Sequence, residues 1–244
     1  SGPMPVDKYR VHGPGYAPRQ TQTSVPGWGG EPQPRADGSR EQVWHCGTFS
    51  EGARYGLEIL YPFDQELRVR NFRGRARLDA DWGPDPQNGL MWPPFRPFGE
   101  GFYSYQLVLD LKVDPGFAVR SEPHPRFYAD AVGDAPIAVP ALIRTAWWPM
   151  IFFIIFKAPP KGVTHVFRKG EPFAQFIVIP EDPDLSVEPM DEAEAAEREL
   201  RSRRIRDSRD ALAEGSRWLS STNTVFDGTY RHMLRAAKAR ARQS

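Results

Sequence analysis

The apolar passage at 145–159, TAWWPMIFFIIFKAP, limits the fold of this chain more than any other feature. A helix that spans a membrane needs roughly 20 uninterrupted apolar residues. Arg144, Pro149 and Lys157 leave only residues 150–156 unbroken, so the passage is too short to cross a bilayer. A run of this length, rich in Ile and Phe, predicts a β-strand that is buried on both faces.

Turn-forming residues divide the rest of the chain into short segments. Proline and glycine number 25 and 21 among 244 residues, roughly a fifth of the chain, which favours short strands over long helices. Hydrophobic residues make up 40%, enough for a packed body. Strands are predicted at several places, among them 43–49, 102–111, 150–157 and 164–167. This pattern predicts a mainly β fold, as a single jelly-roll, β-clip or distorted-barrel domain.

Three regions differ in composition. Residues 1–42 are rich in Pro and Gly and show no sustained period, which predicts an irregular arm. Residues 1–3 resemble a scar left by cleavage of a purification tag. Residues 43–185 carry the predicted strands, and residues 186–244 form a C-terminal segment with helical composition.

Two helices are predicted in the C-terminal segment. Asp191 and Glu194 form an Asp-x-x-Glu capping box, and the acidic residues that follow precede a series of arginines, an order that suits the helix dipole. A second helix is predicted from Phe226 or Thr229 to about Arg242. These helices and the N-terminal arm could join copies of the chain in a homo-oligomer.

Charge and cysteine content limit the partners. With 32 basic and 31 acidic residues the net charge is +1, which gives no overall reason to expect a nucleic acid or an anionic membrane as a partner. We therefore expect neither. Cys46 is the single cysteine and cannot form an intramolecular disulfide. Since no hydrophobic signal segment opens the sequence, a cytoplasmic protein is expected.

Histidines in the β region raise the question of a metal. A non-haem iron site needs two histidines and a carboxylate that face one another. No close His-x-Asp or His-x-His pair is present, so the ligands would come from distant strands. The candidate set is His124, His165 and Glu171, with Glu122 or Asp130 as alternative carboxylates. The cofactor stays open, with a divalent metal as the candidate. The competing interpretation is that these are loop and surface histidines.

Aromatic residues suggest a binding cavity. Trp147 and Trp148 stand beside Pro149 at the mouth of the predicted core strand, where large rings often line a cavity. Trp92 lies in the proline-stiffened passage LMWPPFRPFGEGFYSY, which forms either a plug or a pocket wall. Arg144 could hold a carboxylate or phosphate through two hydrogen bonds. The alternative for Arg144 is an ion pair with Asp or Glu of an adjacent strand.

Two resemblances to known families follow from short motifs. A Thr-x-Trp-x-Pro motif at 145–149 precedes Gly-Glu-Pro at 170–172. In this order the chain resembles a family of uncharacterised bacterial proteins over about 55–180, which implies one shared domain and no function. The passage RKGEPFAQFIV at 168–178 is similar to a strand of deoxyuridine triphosphatases and deoxycytidine triphosphate deaminases. Because their catalytic loop and glycine-rich arm are missing here, this likeness implies at most a β-clip fold.

Three functions remain open from the sequence. The first is a β protein that binds a small molecule in an aromatic-lined cavity near Trp92, His124, Trp147 and Trp148. The second is a metal-dependent oxygenase or hydrolase on the same scaffold, and the third is an oligomeric interaction module. The sequence favours the first and leaves open whether the protein is an enzyme.

Overall fold

The computed structural model describes residues 10–12, 19–20, 47–80, 93–107, 110–129, 134–148, 152–208, 218–219, 225–226 and 229–243. The chain divides into two compact units, of which the first comprises Ser1–Gly30 and Gly52–Pro183 and the second Glu31–Glu51 and Asp184–Ser244. No helix of the described residues is long and apolar enough to span a membrane.

The described strands are short and follow one another closely along the chain. They are β1 (Arg10–His12), β2 (Arg19–Gln20), β3 (Leu57–Leu60), β4 (Leu67–Phe72), β5 (Arg75–Asp79), β6 (Phe95–Phe98), β7 (Phe102–Gln106), β8 (Asp110–Lys112), β9 (Phe117–Pro123), β10 (Ala141–Ile143), β11 (Phe153–Lys157), β12 (Thr164–Phe167), β13 (Pro172–Pro180), β14 (Trp218–Leu219) and β15 (Val225–Phe226). The helices are α1 (Gly47–Ala53), α2 (Glu192–Asp207) and α3 (Thr229–Ala241), with a 3-10 helix at Pro125–Ala129.

Three antiparallel sheets build the first unit. A five-stranded sheet has the order β10-β9-β13-β3-β2, and two three-stranded sheets have the orders β11-β7-β6 and β12-β4-β5. The short pair β1-β8 also lies in this unit, and β14 pairs with β15 in the second. The predicted mainly β fold with C-terminal helices is confirmed. None of the described sheets closes into a barrel, so the barrel form of that prediction finds no support.

Aromatic side chains from all three sheets meet in one core. Phe95 and Phe167 lie with ring centroids 5.1 Å apart, Phe167 and Phe173 are 5.6 Å apart, and Tyr103 stacks on Phe156 at 5.2 Å. These rings are almost completely buried. Burial of an aromatic side chain removes about 150–250 Å² from water, so this cluster supplies a large part of the hydrophobic stabilisation.

Strand β11 corrects one prediction. Ile154 and Phe156 are buried on the core side, whereas Phe153 and Lys157 are exposed and Ile155 is half-buried. The strand was expected to be buried on both faces. Only one face of β11 packs against the core, so Phe153 and Ile155 on the other face contact solvent although they are apolar.

The start of the predicted β region, residues 43–49, differs from a second prediction. Gly47, Thr48 and Phe49 begin helix α1, so the strand predicted over 43–49 is wrong in these residues, and 43–46 lie outside the described residues. In α2, by contrast, the capping box is confirmed, because the Asp191 carboxylate accepts a hydrogen bond from the Glu194 backbone N–H at 2.8 Å. Acidic residues occupy the first turn of α2 and arginines the last.

Candidate functional site

His124, a predicted metal ligand, belongs to a buried polar cluster. Its Nε2 lies 2.9 Å from a carboxylate oxygen of Glu58, and both side chains are inaccessible to solvent. Its Nδ1 accepts a hydrogen bond from the Arg126 backbone N–H at 3.1 Å. Because Nδ1 is an acceptor, the proton of the neutral imidazole lies on Nε2. The Nε2–H group therefore donates a hydrogen bond to the Glu58 carboxylate.

Strand pairing explains why Glu58 is held in this position. Glu58 on β3 pairs with Gln175 on β13, and Gln175 pairs with Glu122 on β9. Paired residues point to the same face of a sheet. Glu58 alternates with Ile59, which packs in the hydrophobic core, so this row of polar residues lies on the opposite face. His124 follows β9 directly, two residues after Glu122.

Glu171, the predicted third ligand, pairs with Arg126 instead. A carboxylate oxygen of Glu171 lies 3.6 Å from the Arg126 guanidinium. Burial lowers the pKa of Arg126, and the carboxylates of Glu171 and Glu58 oppose this effect because they favour the charged form. The guanidinium also lies 4.6 Å from the ring centroid of Phe127. Arg126 therefore carries the positive charge in the polar cluster formed by Glu58, His124, Arg126 and Glu171, which is called the Glu58 cluster below.

His165, the other predicted metal ligand, has a different partner. Its Nδ1 lies 2.7 Å from the Tyr103 hydroxyl, which is buried. Burial lowers the pKa of His165 from 6.5 to about 4 and raises the pKa of Tyr103 well above 10. At neutral pH the Tyr103 hydroxyl therefore stays protonated and donates a hydrogen bond to Nδ1 of a neutral imidazole.

These contacts leave the metal hypothesis without structural support. His124 binds Glu58, His165 binds Tyr103 and Glu171 binds Arg126. Among the residues that the structure describes, no group of three or more His, Cys, Asp or Glu is placed to hold a metal ion. The site built from His124, His165 and Glu171 stays a prediction.

The predicted aromatic cavity wall lies on the surface. Trp147 and Trp148 pack edge to face with centroids 6.2 Å apart, and they are 63% and 42% exposed. Arg144 pairs with Glu181 at 3.0 Å and with Asp182 at 3.2 Å. The ion pair considered as the alternative role for Arg144 is thus present. Trp92 lies outside the described residues.

A cleft elsewhere in the first unit has the features of a binding site. It has a volume of about 970 Å³ and lies between β5 and β6. Within the described part of the chain each of these strands forms the edge of its sheet. Phe72, Leu78 and Ala80 supply accessible apolar surface in the lining of the cleft. Four arginines line it: Arg73, Arg75, Arg77 and Arg96.

The β4–β5 turn presents Arg73 in an unusual conformation. Arg73 has φ 53° and Gly74 has φ 83°, as in the two-residue turns that suit hairpin twist. Glycine or asparagine normally takes such positions. Asn71 fixes the turn, because its side-chain oxygen accepts from the Gly74 N–H at 3.0 Å and its amide donates to the Pro159 carbonyl at 2.9 Å.

The arginines of the cleft differ in their partners. Arg75 lies 3.5 Å from Glu100, and Arg77 lies 3.9 Å from Asp79, all exposed side chains. Such pairs contribute little. Arg73 forms no ion pair with any described residue, and its guanidinium lies 5.3 Å from the ring centroid of the exposed Phe72. Positive charge at the rim of the cleft is therefore only partly neutralised.

Part of the signal for this cleft is visible in the sequence, although the cleft was not predicted from it. The passage RVRNFRGRAR at 68–77 repeats arginine around an Arg-Gly dipeptide. Alternation puts the arginines of β5 on one face, opposite Ala76 and Leu78. The contribution of β6, with Phe95 and Arg96, comes from a distant part of the chain, and no local pattern indicates it.

Comparisons with known proteins add no assignment. Neither a family model nor a curated protein matches the chain.

Gly56 provides a test of the packing around the Glu58 cluster. A Cβ atom at this position would lie 2.4 Å from Cγ of Gln175, and Gln175 is buried. We expect Gly56→Ala to lower the free energy of unfolding by about 1–3 kcal/mol, because the Gln175 side chain must shift within a packed site. Urea denaturation measures this. Gly52→Ala is the control, since nothing lies within 4 Å of its Cβ in helix α1, and it should be neutral or stabilising. Equal losses for both variants would contradict the expectation.

Proposed function

We propose that the β domain binds a small anionic molecule in the cleft between β5 and β6. The observation that carries the proposal is a cavity of about 970 Å³ with accessible apolar surface and four arginines in its lining. Ligand pockets have volumes of roughly 300–1,000 Å³, and they combine apolar walls with a few polar groups that orient the ligand. The first unit of this chain has that combination here.

Arg73 is the residue on which binding depends most. Its guanidinium has no carboxylate partner among the described residues, and the turn that holds it is fixed by Asn71. A guanidinium presents donors in a planar fork that matches a carboxylate, sulfonate or phosphate. The left-handed backbone of Arg73 is unfavourable for a residue with a side chain, and such strain is concentrated at functional sites.

The apolar part of the cleft specifies the rest of the ligand. Phe72, Leu78 and Ala80 are accessible apolar residues of its lining, so a bound molecule would place an apolar or aromatic body against them and its anionic group near Arg73. The proposal keeps the small-molecule binding expected from the sequence but assigns it to the arginine-lined cleft. Of the residues expected to bind, Arg144, Trp147 and Trp148 do not line this cleft, and Trp92 lies outside the described residues.

Arg73→Gly separates binding from stability. Glycine adopts φ 53° without strain, so this variant should be at least as stable as the wild type in urea denaturation. It loses a charge-assisted hydrogen bond worth about 1.5–3 kcal/mol. We therefore expect at least a tenfold weaker binding of 8-anilinonaphthalene-1-sulfonate, followed by fluorescence titration.

Two controls make the titration specific. N-phenyl-1-naphthylamine has the same rings without the sulfonate, and its affinity should be nearly equal in wild type and Arg73→Gly. Arg68→Gln removes a charge from the same hairpin, where Arg68 pairs with Glu66 at 2.8 Å and does not line the cleft. It should bind the sulfonate like the wild type. The proposal fails if the wild type shows no preference for the sulfonate, or if both arginine variants lose it equally.

A further inference from the structure

Helix α3 carries an unbalanced positive charge. Residues 229–243 contain no Asp or Glu, and they contain Arg231, Arg235, Lys238, Arg240 and Arg242. Spacings of three and four residues place most of these cations along one stripe of the helix. Lys238 pairs with Glu51 at 2.6 Å. No described residue forms an ion pair with Arg231 or Arg235.

An exposed apolar stripe runs beside the basic one. Tyr230, Met233 and Leu234 follow the i, i+3, i+4 spacing of one helix face. Tyr230 and Met233 are 53% and 43% exposed, and no residue of α3 is buried. An isolated helix of 13 residues is marginally stable in water, so this face requires a partner.

The second unit also contains the opposite charge. Residues 184–199 include seven acidic residues and one basic residue, Arg198. This segment covers the first half of α2, in which no residue is buried. Glu194 and Glu197 have no ion-pair partner among the described residues, and Leu200 is 49% exposed. Like α3, α2 leaves its charged surface uncovered within one chain.

We propose that the chain forms a two-fold dimer in which α3 of each copy binds the acidic first half of α2 of the other copy. In such a pair the basic residues of α3 face the acidic residues of α2, and the apolar stripe with Tyr230 and Met233 packs beside Leu200. Reciprocal exchange uses both charged surfaces of each chain and closes the assembly. The second half of α2 is basic and repels α3, which sets the register.

A second copy fits α3 better than a nucleic acid does. A polyanion would be attracted to Arg231 and Arg235 but repelled by the seven acidic residues at 184–199 of the same unit. The acidic segment matches α3 in charge and extent. The 13 residues of α3 span about 20 Å, and the acidic half of α2 at 192–199 spans about 12 Å and is preceded by further acidic residues at 184–191.

Charge reversal tests the dimer through its mass. Light scattering after gel filtration of the full chain in low-salt buffer should give about twice 27.7 kDa, and high salt should shift the mass towards the monomer. The double variant Arg231→Glu, Arg235→Glu should be monomeric, since α3 then repels α2. The double variant Glu194→Lys, Glu197→Lys should also be monomeric. Circular dichroism checks that both variants keep their helices.

Mixing the two monomeric variants decides the proposal. In the mixed dimer the two reversed helices meet in one contact and the two unreversed helices meet in the other. Opposite charges therefore face each other in both contacts, and a dimer of one chain of each kind should re-form. Absence of this mixed dimer overturns the proposal, as does a wild type that is monomeric in low salt. A monomeric wild type that binds a fluorescent single-stranded RNA, with binding lost in Arg231→Glu, Arg235→Glu, would assign α3 to nucleic acid instead.

Discussion

Glu58→Ala is expected to lower the free energy of unfolding by about 1–3 kcal/mol, the range found when a buried hydrogen-bonding group is left without its partner. The side chain of Glu58 is inaccessible and accepts the His124 Nε2–H at 2.9 Å. Without it the buried N–H of His124 loses this acceptor, and the half-buried Arg126 loses one of the carboxylates that favour its charge. Urea denaturation at neutral pH measures the loss.

Two further variants show whether the loss comes from this hydrogen bond. Glu58→Gln keeps an acceptor oxygen of similar shape and should be clearly less damaging than Glu58→Ala. Glu66→Ala removes an exposed carboxylate that pairs with Arg68 and Arg168, and exposed pairs contribute little. If Glu58→Ala is no more destabilising than Glu66→Ala, the buried cluster does not stabilise the fold as described.

Acid is expected to destabilise the wild type through His165 by about 3 kcal/mol. Burial lowers the pKa of His165 to about 4 in the folded protein, against 6.5 in the unfolded chain. Between these values the unfolded state binds a proton that the folded state does not. Stability therefore falls as the pH decreases from 6.5 to about 4, with no further loss from this group below pH 4. Each unit of pKa difference corresponds to about 1.4 kcal/mol.

His165→Asn isolates this contribution. The asparagine side-chain oxygen can take the place of Nδ1 and accept the hydrogen bond from the Tyr103 hydroxyl, but the asparagine side chain does not titrate. We expect the variant to lose about 3 kcal/mol less than the wild type between pH 6.5 and 4 in urea denaturation. Tyr103→Phe removes the donor that favours the neutral imidazole, so it should shrink the acid effect without abolishing it. Parallel pH profiles for wild type and His165→Asn would rule out a neutral, buried His165.

Local patterns of the sequence predicted the regular elements well. The strand expected at 164–167 is present as β12, and the Asp191 cap of α2 has the expected hydrogen bond. Both depend on residues within a few positions of one another. Burial was harder to infer, because the apolar passage 150–157 does not reveal that only one face of β11 packs against the core and that Phe153 is exposed.

Contacts between distant residues could not be predicted. His124 meets Glu58 across 66 positions, and His165 meets Tyr103 across 62. The sequence indicates which residue types are present, but the strand order decides which of them face each other. The arginine-lined cleft needs two sheet edges, and only the hairpin at 67–79 carries a local signal for it.

The most direct test of the anion-binding cleft is a nuclear magnetic resonance titration of the labelled full chain with 8-anilinonaphthalene-1-sulfonate. Binding in the cleft predicts shifts of the Arg73 side-chain N–H and of the Gly74 amide, with the indole N–H of Trp147 unchanged. Shifts at Trp147 without any change at Arg73 and Gly74 would contradict the cleft and return the site to the exposed tryptophan pair.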